Sequence, residues 1–433
     1  MNRHHVLTWE SLHLEFDSVG DLVGLGPAGG ERWVTRWQPT VRVAGAATTK
    51  MREDLSCVID ADEVEQRWRV PQSSVQVRVR HTFDRTWHVR MTLRNTGSDP
   101  VDLHLRWEAC SEPVAQLGLH AAGARATCRI VGPGDRSVLQ GVLVQGSVGP
   151  NASSRIRVEA GATHSVGWRF DRIHPQTPPP LPAWWPETAV DADEPVLVAD
   201  QDVVVPGARS VAEGWEVTAS AGVQRFDVVE ATRVTLLEVY GAPGIEEITA
   251  ELGRIFDDHD ALSPAEAVVI QAGERMRGVP SSVRSRLRVG TDDPGLRRLL
   301  GEHCAEPGFG HGLATLHGLA AGDPSAGPAA MTPPPSSPGA GDLEQADRLL
   351  LVPPDAHWEE MMWRLRPVVD AWPIRPWGWS LVDQARWVAV ASMARQLGRP
   401  GVGDPGPLRR SVLASCQDAA PSMAVAALAW LLV

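Results

Sequence analysis

The stretch Val75-Gln76-Val77-Arg78-Val79-Arg80-His81-Thr82-Phe83-Asp84-Arg85-Thr86-Trp87-His88-Val89-Arg90-Met91-Thr92-Leu93-Arg94-Asn95 decides the fold. Val75, Val77 and Val79 alternate with Gln76, Arg78 and Arg80, and beyond Asp84-Arg85-Thr86 the same rhythm returns in Trp87, Val89, Met91 and Leu93. Successive side chains of a strand point to opposite faces, so this pattern writes one buried face and one wet face. Thr96-Gly97-Ser98-Asp99-Pro100 then turns the chain into Val101, Leu103, Leu105 and Trp107. The result is a three-strand antiparallel meander.

The same alternation extends outward in both directions. Upstream, Leu12, Leu14 and Phe16 precede the turn Asp17-Ser18-Val19-Gly20-Asp21; downstream, strands are expected near 140–148, 154–158, 164–170, 215–219 and 234–240. So many short strands bury their apolar faces most economically by stacking as two sheets. Residues 1–242 are therefore expected to form an antiparallel β-sandwich domain. Pro175-Gln176-Thr177-Pro178-Pro179-Pro180-Leu181-Pro182 cannot join a central strand, because proline has no amide donor, and is read as an external crossover.

After Tyr240 the period changes. Ile245, Ile248, Leu252 and Ile255 stand at helical spacing, and Asp292-Asp293-Pro294 supplies cap, first-turn charge and first-turn proline to another helix. Residues 243–304 are read as a helical linker and first helices. Residues 305–342 are rich in Gly, Pro, Ala and Ser and are expected to be disordered or a long surface loop. Helices resume over 343–433, at about 355–364, 381–397, 408–417 and from Ser422 onward, with Gly398 placed to stop the second. The fold class is thus β followed by α, the α part being a partial α/α region.

The chain has 433 residues and a formal net charge of -12, which supplies no global basic field for nucleic acid or anionic membranes. Lysine occurs once, at Lys50, and arginine supplies every other cation, a bias expected of a GC-rich genome. Cys57, Cys110, Cys128, Cys304 and Cys416 are odd in number and widely scattered, indicating neither a disulfide framework nor a zinc site. The N-terminus lacks the apolar core of a signal peptide, so the expected location is the cytoplasm. The eleven apolar residues Met423 to Val433 fall short of the roughly 20 that span a bilayer. Such a helix must be buried, and with no further chain after it a partner chain is expected to cover Leu428, Trp430 and Leu431.

Chemistry concentrates in a tryptophan cluster. Trp358, Trp363, Trp372, Trp377, Trp379 and Trp387 fall within thirty residues. Indole faces suit the C–H faces of sugar rings, whereas helical domains also use tryptophan as core filler. Trp377 and Trp379 flank Gly378 in a Pro- and Gly-rich loop that opens the apolar helix from Leu381, and they are the candidate sugar platform. His303, His311 and His317 lack regular ligand spacing, and Gly308-Phe309-Gly310-His311-Gly312 has neither a preceding strand nor a following Gly-Lys-Ser/Thr. No metal or cofactor is expected.

A sandwich, then Thr291-Asp292-Asp293-Pro294-Gly295-Leu296-Arg297-Arg298-Leu299-Leu300, then a Pro-Trp-Gly loop opening an inner helix, resembles the six-hairpin glycosidases of the glycogen-debranching and amylo-glucosidase type. The resemblance implies an α/α toroid, an oligosaccharide or α-glucan as ligand, and a sugar-binding loop after the glycine, often Gly-Arg-Asp. Here Trp379-Ser380 follows Gly378, and Asp383, one helical turn on, is the carboxylate that could take that place or simply cap its helix. Glycoside hydrolysis needs two carboxylates at a set separation. Asp355, Glu359, Glu360, Asp370 and Asp383 are near the cluster, but no pair among them is nominated, because the family places its acid and base on later hairpins. The expected function is a carbohydrate-active protein of glucosidase-like type, left inactive if its helical half is incomplete. The alternative is a non-catalytic carbohydrate-binding or regulatory protein, and a purely structural module is the third reading.

Overall fold

A computed structural model describes residues 4–46, 52–111, 116–120, 126–132, 138–146, 153–231, 233–256, 262–279, 372–376 and 379–432, and residues 358, 359, 362, 365, 366 and 369. The expectations for 294–304 and 305–342 lie outside the described residues.

The N-terminal part is two large antiparallel sheets. One runs β1 (His5–Trp9), β2 (Leu12–Phe16), β3 (Leu22–Pro27), β4 (Val34–Val43), β9 (Val101–Ser111) and β13 (Ser153–Val158). The other runs β22 (Arg375–Pro376), β10 (Gln116–His120), β11 (Thr127–Val131), β12 (Val138–Gln145), β14 (Thr163–Ile173), β8 (Trp87–Asn95), β7 (Val75–Phe83), β6 (Glu63–Arg69) and β5 (Glu53–Ile59). The hairpin read first from the sequence forms, with Val75 opposite Asn95, Val79 opposite Met91 and Phe83 opposite Trp87. Its burial alternates residue by residue. The expected three-strand meander is corrected: after the turn at 96–100 the chain crosses to the other sheet, where β9 pairs with β4 and β13, and β8 takes β14 as its second neighbour, because the two apolar faces are buried by stacking sheets rather than by widening one. The inward faces of the two sheets meet over a core dense in indoles, in which Trp37 lies edge-on to Trp168 at 5.4 Å and Trp87 stacks on Phe170 at 4.2 Å. The indole nitrogens of Trp33, Trp37, Trp68, Trp107 and Trp168 find no hydrogen-bond partner there. Each forgoes about 1–3 kcal/mol of polar satisfaction, which the large apolar area of the ring offsets.

The strand-rich region carries a second core. Beyond the proline crossover a four-stranded sheet, β15 (Ala189–Asp191), β21 (Arg233–Ala242), β20 (Gly222–Glu230) and β17 (Val203–Val204), accompanies a three-stranded sheet, β16 (Pro195–Val198), β19 (Gly214–Thr218) and β18 (Arg209–Val211). Trp184, Val196, Val198, Val217, Val228, Leu237 and Val239 form its core, separate from that of the large sheets. One sandwich over 1–242 thus becomes two stacked-sheet units, because residues 174–188 break the ladder and the chain must begin a new one. The β15–β21 pair is parallel; the other strand pairs among the described residues are antiparallel.

The helices among the described residues are α1 (Ile245–Phe256), α2 (Pro264–Met276), α3 (Leu381–Gln396), α4 (Gly406–Asp418) and α5 (Pro421–Leu431), and Trp358, Glu359, Met362, Leu365, Arg366 and Val369 are further helical positions. The helix α2 was not expected from periodicity. Its start is nonetheless written in Ser263-Pro264-Ala265-Glu266, a capping box in which Ser263 and Glu266 satisfy each other's backbone amides. The apolar C-terminal helix, for which the sequence reading expects a partner as cover, packs against helices of its own chain. Leu428 is fully buried and Leu431 nearly so, inside a cluster built by α1, α2, α3, α4 and α5 of the same chain. Trp430 is half-buried, with the Arg386 guanidinium 5.2 Å above its ring. No described helix is long and apolar enough to cross a membrane.

Three joints tie helices to sheets. Arg375 and Pro376 pair with Leu119 and Gly118 as the edge of the nine-stranded sheet. Arg410 of α4 donates to the Ala189 carbonyl and to Glu187, and Asp418 accepts from the Val223 amide at 3.0 Å. Val131, Val138 and Ala242 belong to the same apolar cluster as the helices.

Candidate functional site

A cleft of about 410 Å³ opens where the large sandwich, the proline crossover and the helices meet. Pro175, Thr177, Pro178 and Pro179 form one wall, Arg129 lies behind them, Glu359, Met362 and Arg366 form a second wall, and Trp372, Pro400 and Gly401 complete it. Each part follows from local rules. Glu359, Met362 and Arg366 stand at i, i+3 and i+7, one face of a helix. The prolines hold the crossover extended without needing ladder partners.

Arg129, on β11, is the buried anchor of the proline wall, with 1% of its surface exposed. Its Nε donates to Gln140 Oε1 at 3.0 Å and its Nη2 donates to the Thr177 carbonyl. Burial pulls its pKa down to about 10, so it stays charged at neutral pH. Glu359 is exposed and its carboxylate makes no hydrogen bond or ion pair among the described residues. Trp372 is half-buried: its Nε1 donates to Thr188 Oγ1 at 3.0 Å and its ring meets the edge of Tyr240 at 5.4 Å. The cleft therefore combines an indole, a run of prolines and a free carboxylate in one concave site, the composition of a small-molecule pocket.

No protein-family model matches the chain, and no curated protein matches it.

The residues named from the sequence fall elsewhere. Trp377 lies outside the described residues, as do Trp363, Asp355, Glu360, Asp370, His303, His311 and His317. Trp379 is half-buried against the helical cluster. Asp383 is the third residue of α3, where its Oδ2 accepts from the Ser380 amide at 2.8 Å and from Ser380 Oγ at 2.7 Å, while its own amide donates to Ser380 Oγ at 3.1 Å. That is a capping box. Neither Trp379 nor Asp383 lines the cleft. Trp358 and Trp387 are core filler, each 1% exposed, and Trp358 Nε1 donates to the Pro400 carbonyl at 2.9 Å, steadying the cleft's rim. Of the tryptophan cluster, Trp372 is the described member that reaches the cleft.

Arg129 and the proline wall were missed as site residues. An arginine inside the pattern Thr127-Cys128-Arg129-Ile130-Val131 was the available signal, since a cation within an otherwise apolar strand needs a reason. Among the described residues no group of three or more His, Cys, Asp or Glu could hold a metal.

Proposed function

We propose that the protein is carbohydrate-active, and that the cleft takes an oligosaccharide of α-glucan type without hydrolysing it. One observation carries this reading: Trp372 and the unpaired Glu359 line the same concave site. A sugar ring is bound by an apolar plate against its C–H face and by directional acceptors for its hydroxyls. Trp372 and the prolines offer the plate, and Glu359 offers the acceptor. Hydrolysis needs a second carboxylate for the complementary acid or base step. Glu359 is the one carboxylate among the described residues lining the cleft.

The likeness to six-hairpin glycosidases supports the same ligand class, with α1 to α5 as part of an α/α arrangement beside the β units. The glucosidase itself is the second reading, favoured by that same pairing of stacked sheets with hairpin helices. The four described cysteines carry no disulfide, which supports a cytoplasmic location.

The test is calorimetric titration with maltotriose and maltohexaose, paired with a glucose-release assay. Binding without release, weakened on the order of tenfold or more by Trp372→Ala and by Glu359→Gln, is the expected result. Release of glucose by the parent protein, lost in Glu359→Gln, would move it to the glucosidase reading. Absence of any binding to α-glucans would overturn both.

A further inference from the structure

Trp372 reaches the cleft from the helical region, yet what holds it belongs to the small β unit. Thr188 stands one residue before β15, is 1% exposed, and accepts the indole N–H at 3.0 Å. Its own carbonyl accepts from the Tyr240 amide at 2.7 Å, so Thr188 is fixed to β21 at the point where Ala189 pairs in parallel with Tyr240. Tyr240, the single tyrosine of the chain, is 3% exposed, meets the Trp372 ring edge-on with an interplanar angle of 73°, and donates its hydroxyl to Glu238 Oε2 at 2.8 Å. One side of the indole is thereby held by two buried residues that are themselves bonded to each other.

The indole has a single polar hydrogen, and a donor of that kind is directional. With Thr188 Oγ1 occupying it, no donor is left on the ring for a sugar hydroxyl.

We propose that Thr188 is a positioning residue for the cleft: by accepting the Nε1–H bond it fixes the Trp372 ring and takes up its only donor, so that the ring meets its ligand as an apolar plate. Hydroxyl recognition then falls to Glu359 and its neighbours, and the preferred ligand presents an uninterrupted C–H face to the indole. This rests on the carbohydrate reading for its ligand and on Thr188, Tyr240 and Trp372 alone for its geometry.

The experiment has two readouts on the full chain. In protein labelled with ¹⁵N at the tryptophan indoles, the Trp372 N–H resonance, assigned by its loss in Trp372→Phe, is expected to exchange slowly with solvent. Thr188→Val should speed that exchange at least tenfold and leave the other indole signals in place. Thr188→Ser, which keeps the acceptor, should restore it. In parallel, Thr188→Val should weaken maltotriose binding about fivefold to tenfold, the loss of one neutral hydrogen bond, and Thr188→Ser should recover it. An unchanged Trp372 exchange rate in Thr188→Val would overturn the positioning role whatever the ligand. An indole signal that moves in a protein that binds no α-glucan would sustain the positioning role and overturn the carbohydrate reading instead. Maltotriose binding unaltered by Thr188→Val while the indole signal moves would overturn the claim that this bond serves recognition.

Discussion

Trp87 donates its indole N–H to His81 Nδ1 at 3.3 Å, and the two rings lie nearly parallel, 18° apart, in the core between the large sheets. The bond requires His81 to be neutral, with its proton on Nε2. Phe16 and Phe83 complete the surroundings of the imidazole. Burial pushes its pKa from 6.5 down to about 3.

Acid should therefore destabilise this sandwich in part through His81. Between pH 6.5 and about 3 the unfolded chain binds a proton at His81 that the folded chain refuses, so stability falls as pH falls across that window. At pH 5 the loss is about 2 kcal/mol relative to neutral pH. His81→Phe keeps a flat ring in the stack, and urea melts at pH 7 and pH 5 should differ by about 2 kcal/mol less than in the parent. An undiminished difference would remove His81 from the account.

Gly132 follows β11, and a Cβ there would come within 2.0 Å of the buried Trp33 indole. The ring cannot retreat through a packed core. Gly132→Ala should cost about 3 kcal/mol or more, at the upper end for overpacking, and lower the melting temperature of the large sandwich. A melting temperature within a degree of the parent would show that Trp33 has room to move.

Ser380 and Asp383 form one reciprocal cap at the start of α3. Ser380→Ala and Asp383→Ala should each cost about 1 kcal/mol, and the double variant should cost little more than either alone, because both break the same unit. Thermal melts of the three variants give the cycle. Additive losses would mean that Asp383 does something besides capping.

Arg129 Nε and Nη2 serve two acceptors at once, Gln140 and the Thr177 carbonyl. A lysine carries one compact ammonium and cannot reproduce that fork. Arg129→Lys should cost about 2–3 kcal/mol and loosen the proline wall, read as faster amide exchange at Thr177. Retained stability with retained exchange protection would show that the wall stands without it.

The tryptophans show how far residue type can be read. Trp358, Trp372, Trp379 and Trp387 look alike in the sequence, all within one apolar and proline-rich region, yet two are core filler, one packs half-buried on the helices and one lines the cleft. Helical spacing cannot tell these apart, since the outcome depends on which neighbouring element arrives to cover each ring. Asp383 is a similar case: its spacing from Ser380 is the signature of a cap, and the cap is what forms.

Local pattern by itself determined the hairpin from Val75 to Asn95, the strand that starts at Val101, the end of the strands near Ala242, the helix from Ile245 and the helices of the C-terminal region, because period and turn chemistry act between residues close in the chain, whereas the sheet that the Val101 strand joins was decided by the tertiary structure. Ser263-Pro264-Ala265-Glu266 belonged to the same legible class and marks a helix that periodicity alone passed over. Only the tertiary structure decided that the strand-rich region has two cores, that Arg375 and Pro376 extend the edge of the nine-stranded sheet, and that Leu428 is covered from within the chain. It also decided the cleft, which joins Arg129 to Thr177, and Trp372 to Thr188 across 184 positions of sequence. Such contacts leave no period in the sequence, because they arise when separately folded units bury surface against one another.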